Sequence, residues 1–397
     1  MRVLMLLHKS VVNDSRVRRE ASTLAATGHD VVVLELADVG EPELDGFRRR
    51  SIVPPPWLRE RLPSPLYRLA FLVCFVRGIR DERPDVIHAH DAAMLLPGLV
   101  GRRLTGARLV YDSHELATSV PYRDRAWAAF VAAIERIAMP RTAAVITVSG
   151  GIAARLQKRY AMRTRPVVVR NVSDLRPTGA PGTLRCELDI ARDVPLVLHQ
   201  GAPAASRGCD VLVRAVAQLD GVHLAFLGDP EDGFGDRLRE LIAASGIGAR
   251  VHMLPSVSLA RLLDQTAEAD VGVTLLQDTC DNHRLALPNK LFEYVAAGVP
   301  VVAADLPELR AFMGAYGVGW TAAPHDAAAL ARVLRKALDG SDDPALMERL
   351  ASAGRDLQWT NEREHLLKLY RWLDSLEPPD YFTPANGQPE KSSCHVS

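Results

Sequence analysis

Short apolar runs rich in Val, Leu and Ile recur along the chain, and between them lie stretches whose apolar residues return at helical spacing. Residues 3–7 are the first such run; a helical stretch over about 16–27, Gly28 as its stop and a second run at 29–36 follow. The series begins again at 196–198, with the loop His199-Gln200-Gly201, a helical stretch over about 209–219, Gly221 as its stop and a run at 222–227. Runs that are apolar at nearly every position suit strands buried on both faces, as in a parallel sheet covered by helices. Two openings of this kind predict an α/β protein of two doubly wound parallel-sheet domains rather than one large sheet. Further strands are expected at 85–90, 108–112, 143–149 and 166–170 in the first domain, and at 250–254, 271–276, 299–303 and 319–321 in the second. The Pro- and Gly-rich stretch 172–182 reads as a linker. The domains are placed at 1–172 and 173–355, with an amphipathic helix within 356–376 and a tail, 377–397, expected to be disordered for lack of any periodicity.

A chain of 397 residues gives each domain enough length to bury its own core. The 48 Lys and Arg balance 48 Asp and Glu, so no net charge recruits nucleic acid or draws the whole protein to a membrane. Five scattered cysteines without a Cys-x-x-Cys pair point to a reducing compartment and against a disulfide framework or zinc site. The opening apolar run ends at His8-Lys9, too short for a signal peptide, and the longest run, 66–76, carries Arg68 and falls short of the ~20 residues that span a bilayer. A cytoplasmic protein is expected, at most peripheral at the inner membrane face. The segment 48–76, with Arg48-Arg49-Arg50, Trp57, Arg59, Arg61, Tyr67, Arg68, Phe71 and Phe75, reads either as a helix with a solvated basic face or as a surface that touches a membrane.

The stretch 285–302 holds the densest chemistry. Pro288 and Asn289 start a helix, Gly298 and Pro300 end it, and a β-branched run follows. A lysine in the first turn, Lys290, opposes the positive end of the helix dipole unless an anion sits there, held by backbone N–H groups and the ammonium. Glu293, on the same side one turn later, can accept hydrogen bonds from a vicinal diol, although taken alone the two residues read rather as an ordinary (i, i+3) surface pair. Ligands of open parallel sheets sit at the carboxyl ends of strands, where the sequence delivers His8 and Lys9, then His88, His90 and Asp91, then Asp112, Ser113, His114 and Glu115. His88-x-His90 lacks a specified third ligand, and no metal is assigned. The second domain delivers Gly201 and, six residues on in a loop that opens a helix, Arg207. With Lys290 it supplies two cations to one edge of the domain, which suits a diphosphate; no P-loop, Gly-x-Gly-x-x-Gly fingerprint or Asp-x-Asp triplet occurs.

These motifs, taken in order, resemble the retaining family 4 glycosyltransferases of the GT-B fold, two facing Rossmann-like domains with a nucleotide-sugar site in the cleft. The residues concerned are Asp14 to Ala21 with Gly28-His29-Asp30-Val31, Tyr111 to Leu116, Val148-Ser149, Asn171, Gln200-Gly201 with Arg207-Gly208, and the Pro288-Asn289-Lys290 to Tyr294 stretch, a sub-pattern of that family. The resemblance implies a nucleotide diphosphate sugar donor at Gly201, Arg207, Asn289, Lys290 and Glu293, with Glu293 on the ribose as the second Glu of a Glu-x7-Glu motif. It implies His114 beside the transferred sugar, His114, Arg207 and Lys290 as the catalytic groups, a sugar, lipid-linked or small-molecule acceptor, no cofactor, and a closing helix that crosses back to the first domain. Two positions depart from the pattern: Leu285 stands for its first Glu and Ala202 for an Arg after the glycine. A non-catalytic nucleotide-sugar-binding protein and an epimerase of the same fold are the alternatives.

Overall fold

The structure, a computed structural model, describes residues 1–37, 43–52, 64–121, 124–179 and 184–375. In the first domain β1 (Arg2–Leu7), β2 (Asp30–Leu36), β3 (Glu43–Leu44), β4 (Phe47–Ile52), β5 (Val86–His90), β6 (Arg108–Ser113), β7 (Ala144–Thr147) and β8 (Val167–Val168) form one sheet. Its order is β3-β4-β2-β1-β5-β6-β7-β8, parallel except where β3 meets β4. In the second, β9 (Leu196–Gln200), β10 (His223–Leu227), β11 (Val251–Leu254), β12 (Val271–Thr274), β13 (Val301–Ala304) and β14 (Gly319–Ala322) pair in parallel in the order β11-β10-β9-β12-β13-β14. Each sheet reverses direction beside its first strand, between β1 and β5 and between β9 and β12, so each leaves a crevice at the carboxyl ends of those strands. This is the two-domain α/β architecture that the paired openings of the sequence predict.

Five helices carry the argument below: α1 (Ser15–Ala26), α2 (Asp91–Thr105), α3 (Cys209–Val216), α4 (Asn289–Ala296) and α5 (Trp359–Asp374). Leu366, Leu369, Tyr370 and Leu373 of α5 share one core with Val3, Met5 and Leu7 of β1 and Val17, Ala21 and Leu24 of α1. The Trp359 indole donates to Thr23 Oγ1 at 2.9 Å, and Arg170 Nε donates to Glu362 Oε2 at 2.8 Å. The last described helix thus completes the core of the first domain.

Strand ends fall short of the apolar runs where a polar residue takes up another task. The run 143–149 stops at Thr147 because Ser149 caps the next helix, accepting from Ile152 N at 3.2 Å. The largest departure is β4. Arg48, Arg49 and Arg50, read from the sequence as a helix's basic face or a membrane contact, lie on a strand paired with β2. Arg49 Nη2 meets Glu35 Oε1 at 2.6 Å with both side chains nearly buried, and Arg50 pairs with Asp81 at 2.7 Å and Glu82 at 3.0 Å. Local periodicity cannot reveal this, because the carboxylates that neutralise the arginines come from another strand and helix. Phe75 is buried and Phe71 packs beside it, while Trp57, Arg59, Arg61, the side chains of Tyr67 and Arg68, and the tail 377–397 lie outside the described residues.

Candidate functional site

The second domain brings two cations to one strand end. After β9 the chain turns at Gly201, φ +80°. A Cβ at that residue would lie 3.6 Å from Arg207 Nη1 and 3.9 Å from Lys290 Nζ, so glycine keeps the space between the cations open while taking a backbone form that other residues resist. Arg207 ends a 3-10 turn, its Nη1 donating to the Ala202 carbonyl at 2.7 Å, and Gly208, φ +64°, starts α3. Lys290 stands in the first turn of α4 with Nζ 3.0 Å from His199 Nε2. Burial, then Lys290 and Arg207, push the pKa of His199 well below the usual range, so the neutral ring is the ammonium's acceptor. Burial and, next, the Arg207 charge pull Lys290 down to about 7. Glu293, one turn on, moves the other way: burial raises its pKa and Lys290 offsets only part of that. His199 was read from the sequence as a loop residue; its one signal was a polar side chain closing an otherwise apolar strand.

Tyr294 fixes α4 on the sheet. Its hydroxyl accepts from Gln200 N at 3.0 Å and donates toward the Leu198 carbonyl at 3.1 Å. The ring fits because residue 272 is glycine; a Cβ there would stand 2.4 Å from it. The same clamp that packs the core therefore sets where Lys290 and Glu293 point.

In the first domain, His114 follows β6 with Nε2 3.0 Å from Asp112 Oδ2 and Nδ1 3.4 Å from Asp91 Oδ2. Burial would lower its pKa, but Asp91 and then Asp112 outweigh that and raise it to about 9, making it an imidazolium at neutral pH. Asp112 receives Arg16 Nε at 2.9 Å and Arg16 Nη2 at 3.0 Å. Asp14 caps α1, accepting from Val17 N at 3.1 Å, and pairs with Lys9 at 2.9 Å. Burial would raise the Asp14 pKa, yet His114 and then Lys9 hold it at about 2.

Beneath His114 lies a sealed layer of polar side chains. His88 and His90, two apart on β5, turn to the same side with rings stacked at 4.3 Å, and their nitrogens, Glu20 and Asp112 present ligand-type atoms within 4.8 Å of one another. Arg16 already stands in the cation's place, with Nη2 3.1 Å from Glu20 Oε1 as well as on Asp112. His88 Nδ1 is 2.9 Å from Tyr370 Oη on α5, so the layer links the cleft to the closing helix.

A cavity of about 330 Å³ opens between the domains, lined by Lys9, Asp14, Arg16, His114 and Asn171 from the first and Asn282, Leu287 and Asn289 from the second. It unites His114 with Asn289, whose Oδ1 accepts from Asn171 Nδ2 at 3.0 Å. Glu293 lines an adjoining smaller pocket with Arg19, Asn171 and Asn289. Gly201, Arg207 and Lys290 form their own group at the end of β9, joined to the cavity through the start of α4.

Residues 15–176 match the model of Glycosyltransferase Family 4, and residues 194–340 match that of Glycosyl transferases group 1. The chain belongs to the family 4 glycosyltransferases. It is 28% identical over 318 residues to the D-inositol 3-phosphate glycosyltransferase of Streptomyces avermitilis, a match spanning 74% of this chain and 66% of that protein's length. Among solved structures, sucrose-phosphate synthase from Thermosynechococcus elongatus superposes with a TM-score of 0.73 at 20% identity, covering 94% of this chain and 99% of that one. Anabaena Alr3699/HepE in complex with UDP gives 0.72 at 18%, covering 94% and 100%. These likenesses establish the GT-B fold. In this chain Leu285 joins the domains: its carbonyl accepts from Ser149 Oγ at 2.6 Å and its side chain packs against the first domain's core. Asn282 makes a second join, accepting from Leu116 N at 2.8 Å.

Proposed function

We propose that the chain moves a sugar from a nucleotide diphosphate sugar to an acceptor hydroxyl, with retention of anomeric configuration and without a bridging metal ion. The observation that carries this reading is the meeting of Arg207 and Lys290 over Gly201 at the end of β9. Departure of the diphosphate leaves positive charge at the anomeric carbon, so catalysis rests on neutralising the leaving group and holding the acceptor. The acceptor oxygen bonds to that carbon as the bond to phosphate breaks on the same face, and the departing phosphate oxygen takes the hydroxyl proton. His114, an imidazolium between two carboxylates, is a hydrogen-bond donor and not a base, which supports that route. Glu293 is assigned the ribose diol. The acceptor is a sugar, a lipid-linked hydroxyl or a small molecule; HepE, solved with UDP-glucose, and the inositol-phosphate enzyme mark the range within which donor and acceptor are to be sought.

Mass-spectrometric screening of nucleotide sugars against such acceptors tests the reading. A product heavier than the acceptor by one glycosyl unit supports it. Tight donor binding without turnover supports a nucleotide-sugar-binding protein, the reading that Leu285 and Ala202 favour, and donor isomerised without acceptor supports an epimerase. Glu293→Ala and Arg207→Ala are each expected to weaken binding of the matching nucleoside diphosphate by about 1.5 to 3 kcal/mol, read by calorimetry. Unchanged affinity in both would move the site elsewhere.

With a lipid-linked acceptor, the membrane contact falls to the helix Ser64–Glu82, where Leu66, Leu69 and Val73 are 49%, 56% and 56% exposed and Arg77 and Arg80 follow on the same stripe. Binding to vesicles containing phosphatidylserine is expected to weaken steeply between low and physiological salt. No binding at low salt would leave a soluble acceptor.

A further inference from the structure

We infer that Asp91 is a positioning residue of the transfer reaction, its carboxylate facing Nδ1 of His114; the inference rests on the glycosyl transfer proposed above. Asp91 is the first residue of α2, directly after β5, and its φ is +63°. Of the four other non-glycine residues with positive φ among those described, Arg83 and Ala161 follow the ends of helices, Asp189 lies in the turn after the short helix Leu184–Glu187 and Asp45 precedes Gly46 in a turn, places where that conformation serves the chain's change of direction. Asp91 instead enters a helix, where a right-handed residue would do. Strain kept at such a place has to be held by something the side chain does there.

The side chain reaches His114. Asp91 Oδ2 lies 3.4 Å from His114 Nδ1, and the two side chains are 23% and 16% exposed, so the contact stands at the mouth of the cleft. The other ring nitrogen is committed to the buried layer: Nε2 is 3.0 Å from Asp112 Oδ2 and 3.2 Å from His90 Nδ1. Asp112 is shared, because Arg16 donates to both of its oxygens. Further charges face the ring from α1, where Arg16 opposes its protonation and Asp14 and Glu20 favour it. His8 and Lys9 approach from the end of β1, His8 sensing both Asp91 and His114. Among these groups Asp91 is the carboxylate directed at Nδ1.

The consequence is geometric. An imidazole held at Nε2 alone can tilt about that contact, whereas one that also faces a carboxylate at Nδ1 is kept at one angle in the wall of the cavity that it lines with Asn289. Asp91 therefore fixes where the Nδ1 proton points and keeps it on the ring. No proton is transferred in this role and no bond is made.

Asp91→Asn in the full chain tests it, because asparagine tolerates the same backbone form and removes only the charge. The His114 Cε1–H resonance, followed by NMR against pH, is expected to titrate about 1 to 3 units lower than in the parent. With the donor and acceptor pair found by screening, kcat is expected to fall about tenfold or more while KM for the donor and UDP affinity change less than about twofold. Asp91→Gly, which relieves the backbone, should raise Tm and lower kcat alike. A His114 titration unchanged in Asp91→Asn overturns the inference, and so does a lowered titration with kcat intact. Nucleoside diphosphate affinity unchanged in both Arg207→Ala and Glu293→Ala would instead remove the proposed function, leaving the NMR result to decide the contact alone.

Discussion

Lys290→Met is expected to lower kcat about 100- to 1000-fold while the protein stays folded, the loss typical of removing one preorganised donor from a developing anion. Methionine keeps the length of the stem, and the group it removes is an amine that burial and Arg207 already hold at about 7. The effect has a pH signature. In the free protein half of the Lys290 amines carry a proton near pH 7, whereas a bound diphosphate requires the charged form. Affinity of the parent for the matching nucleoside diphosphate should therefore fall by up to about tenfold per pH unit above pH 7, with proton uptake visible as a buffer-dependent binding enthalpy, and the methionine variant should show a flat profile. The stability sign follows from the same depression. Between about pH 7 and the ordinary lysine value of 10.5 the unfolded chain binds more protons than the folded one, so the parent gains stability as pH rises through that window and the variant does not. A flat affinity profile in the parent together with an unchanged kcat in the variant would end the assignment of Lys290 to the leaving group.

Arg16→Met should be the costliest single change to the fold, about 3 to 5 kcal/mol at pH 7 by urea unfolding. Arg16 is 2% exposed and stands between Asp112 and Glu20, both fully buried, with a further bond from Nη1 to the Val169 carbonyl at 2.7 Å. Removing it leaves Glu20 without its guanidinium and Asp112 with His114 alone, in a place water does not reach. Burial would raise the Asp112 pKa, but the Arg16 charge, then the His114 charge and the hydrogen bonds from His114 and His90, together hold it well below the usual carboxylate range. Its contribution is thus present at neutral pH and lost as pH falls through that depressed value. The deficit of the variant should accordingly shrink toward pH 4, where the carboxylates of the variant take up protons. A loss under about 1 kcal/mol at pH 7 would mean that the layer is not built around this guanidinium.

The sequence made the strand ends legible because the buried strands are nearly continuous apolar runs, and what interrupts them at the carboxyl end is what the cleft needs. His114, Gly201 and Arg207 are read that way, and Asn289, Lys290 and Glu293 from the start of a helix whose lysine opposes its own dipole; the structure gathers Gly201, Arg207 and Lys290 at one strand end and His114 with Asn289 in one cavity. Residues whose meaning lies in a distant partner escaped. Arg49 is intelligible only beside Glu35, His199 only beside Lys290, and Arg16 only beside Asp112, 96 residues away. Leu285 looked like a missing carboxylate; in three dimensions its carbonyl and side chain tie the second domain to Ser149 and the first domain's core. Backbone strain at Asp91 leaves no trace in composition, since an aspartate before a helix is ordinary.

The packing of α5 on β1 and α1 also fixes an order of events during synthesis. Tyr370 reaches His88, and Leu366 and Leu373 fill the core around Val3, Met5 and Leu7, so the first domain lacks part of its interior until α5 has left the ribosome. The second domain, whose two core clusters draw on residues from 172 to 357 alone, can close while the first is still waiting. Nascent chains halted before residue 359 would then expose the apolar face of β1 and α1 for as long as the halt lasts, which makes that surface the natural place for a chaperone to hold.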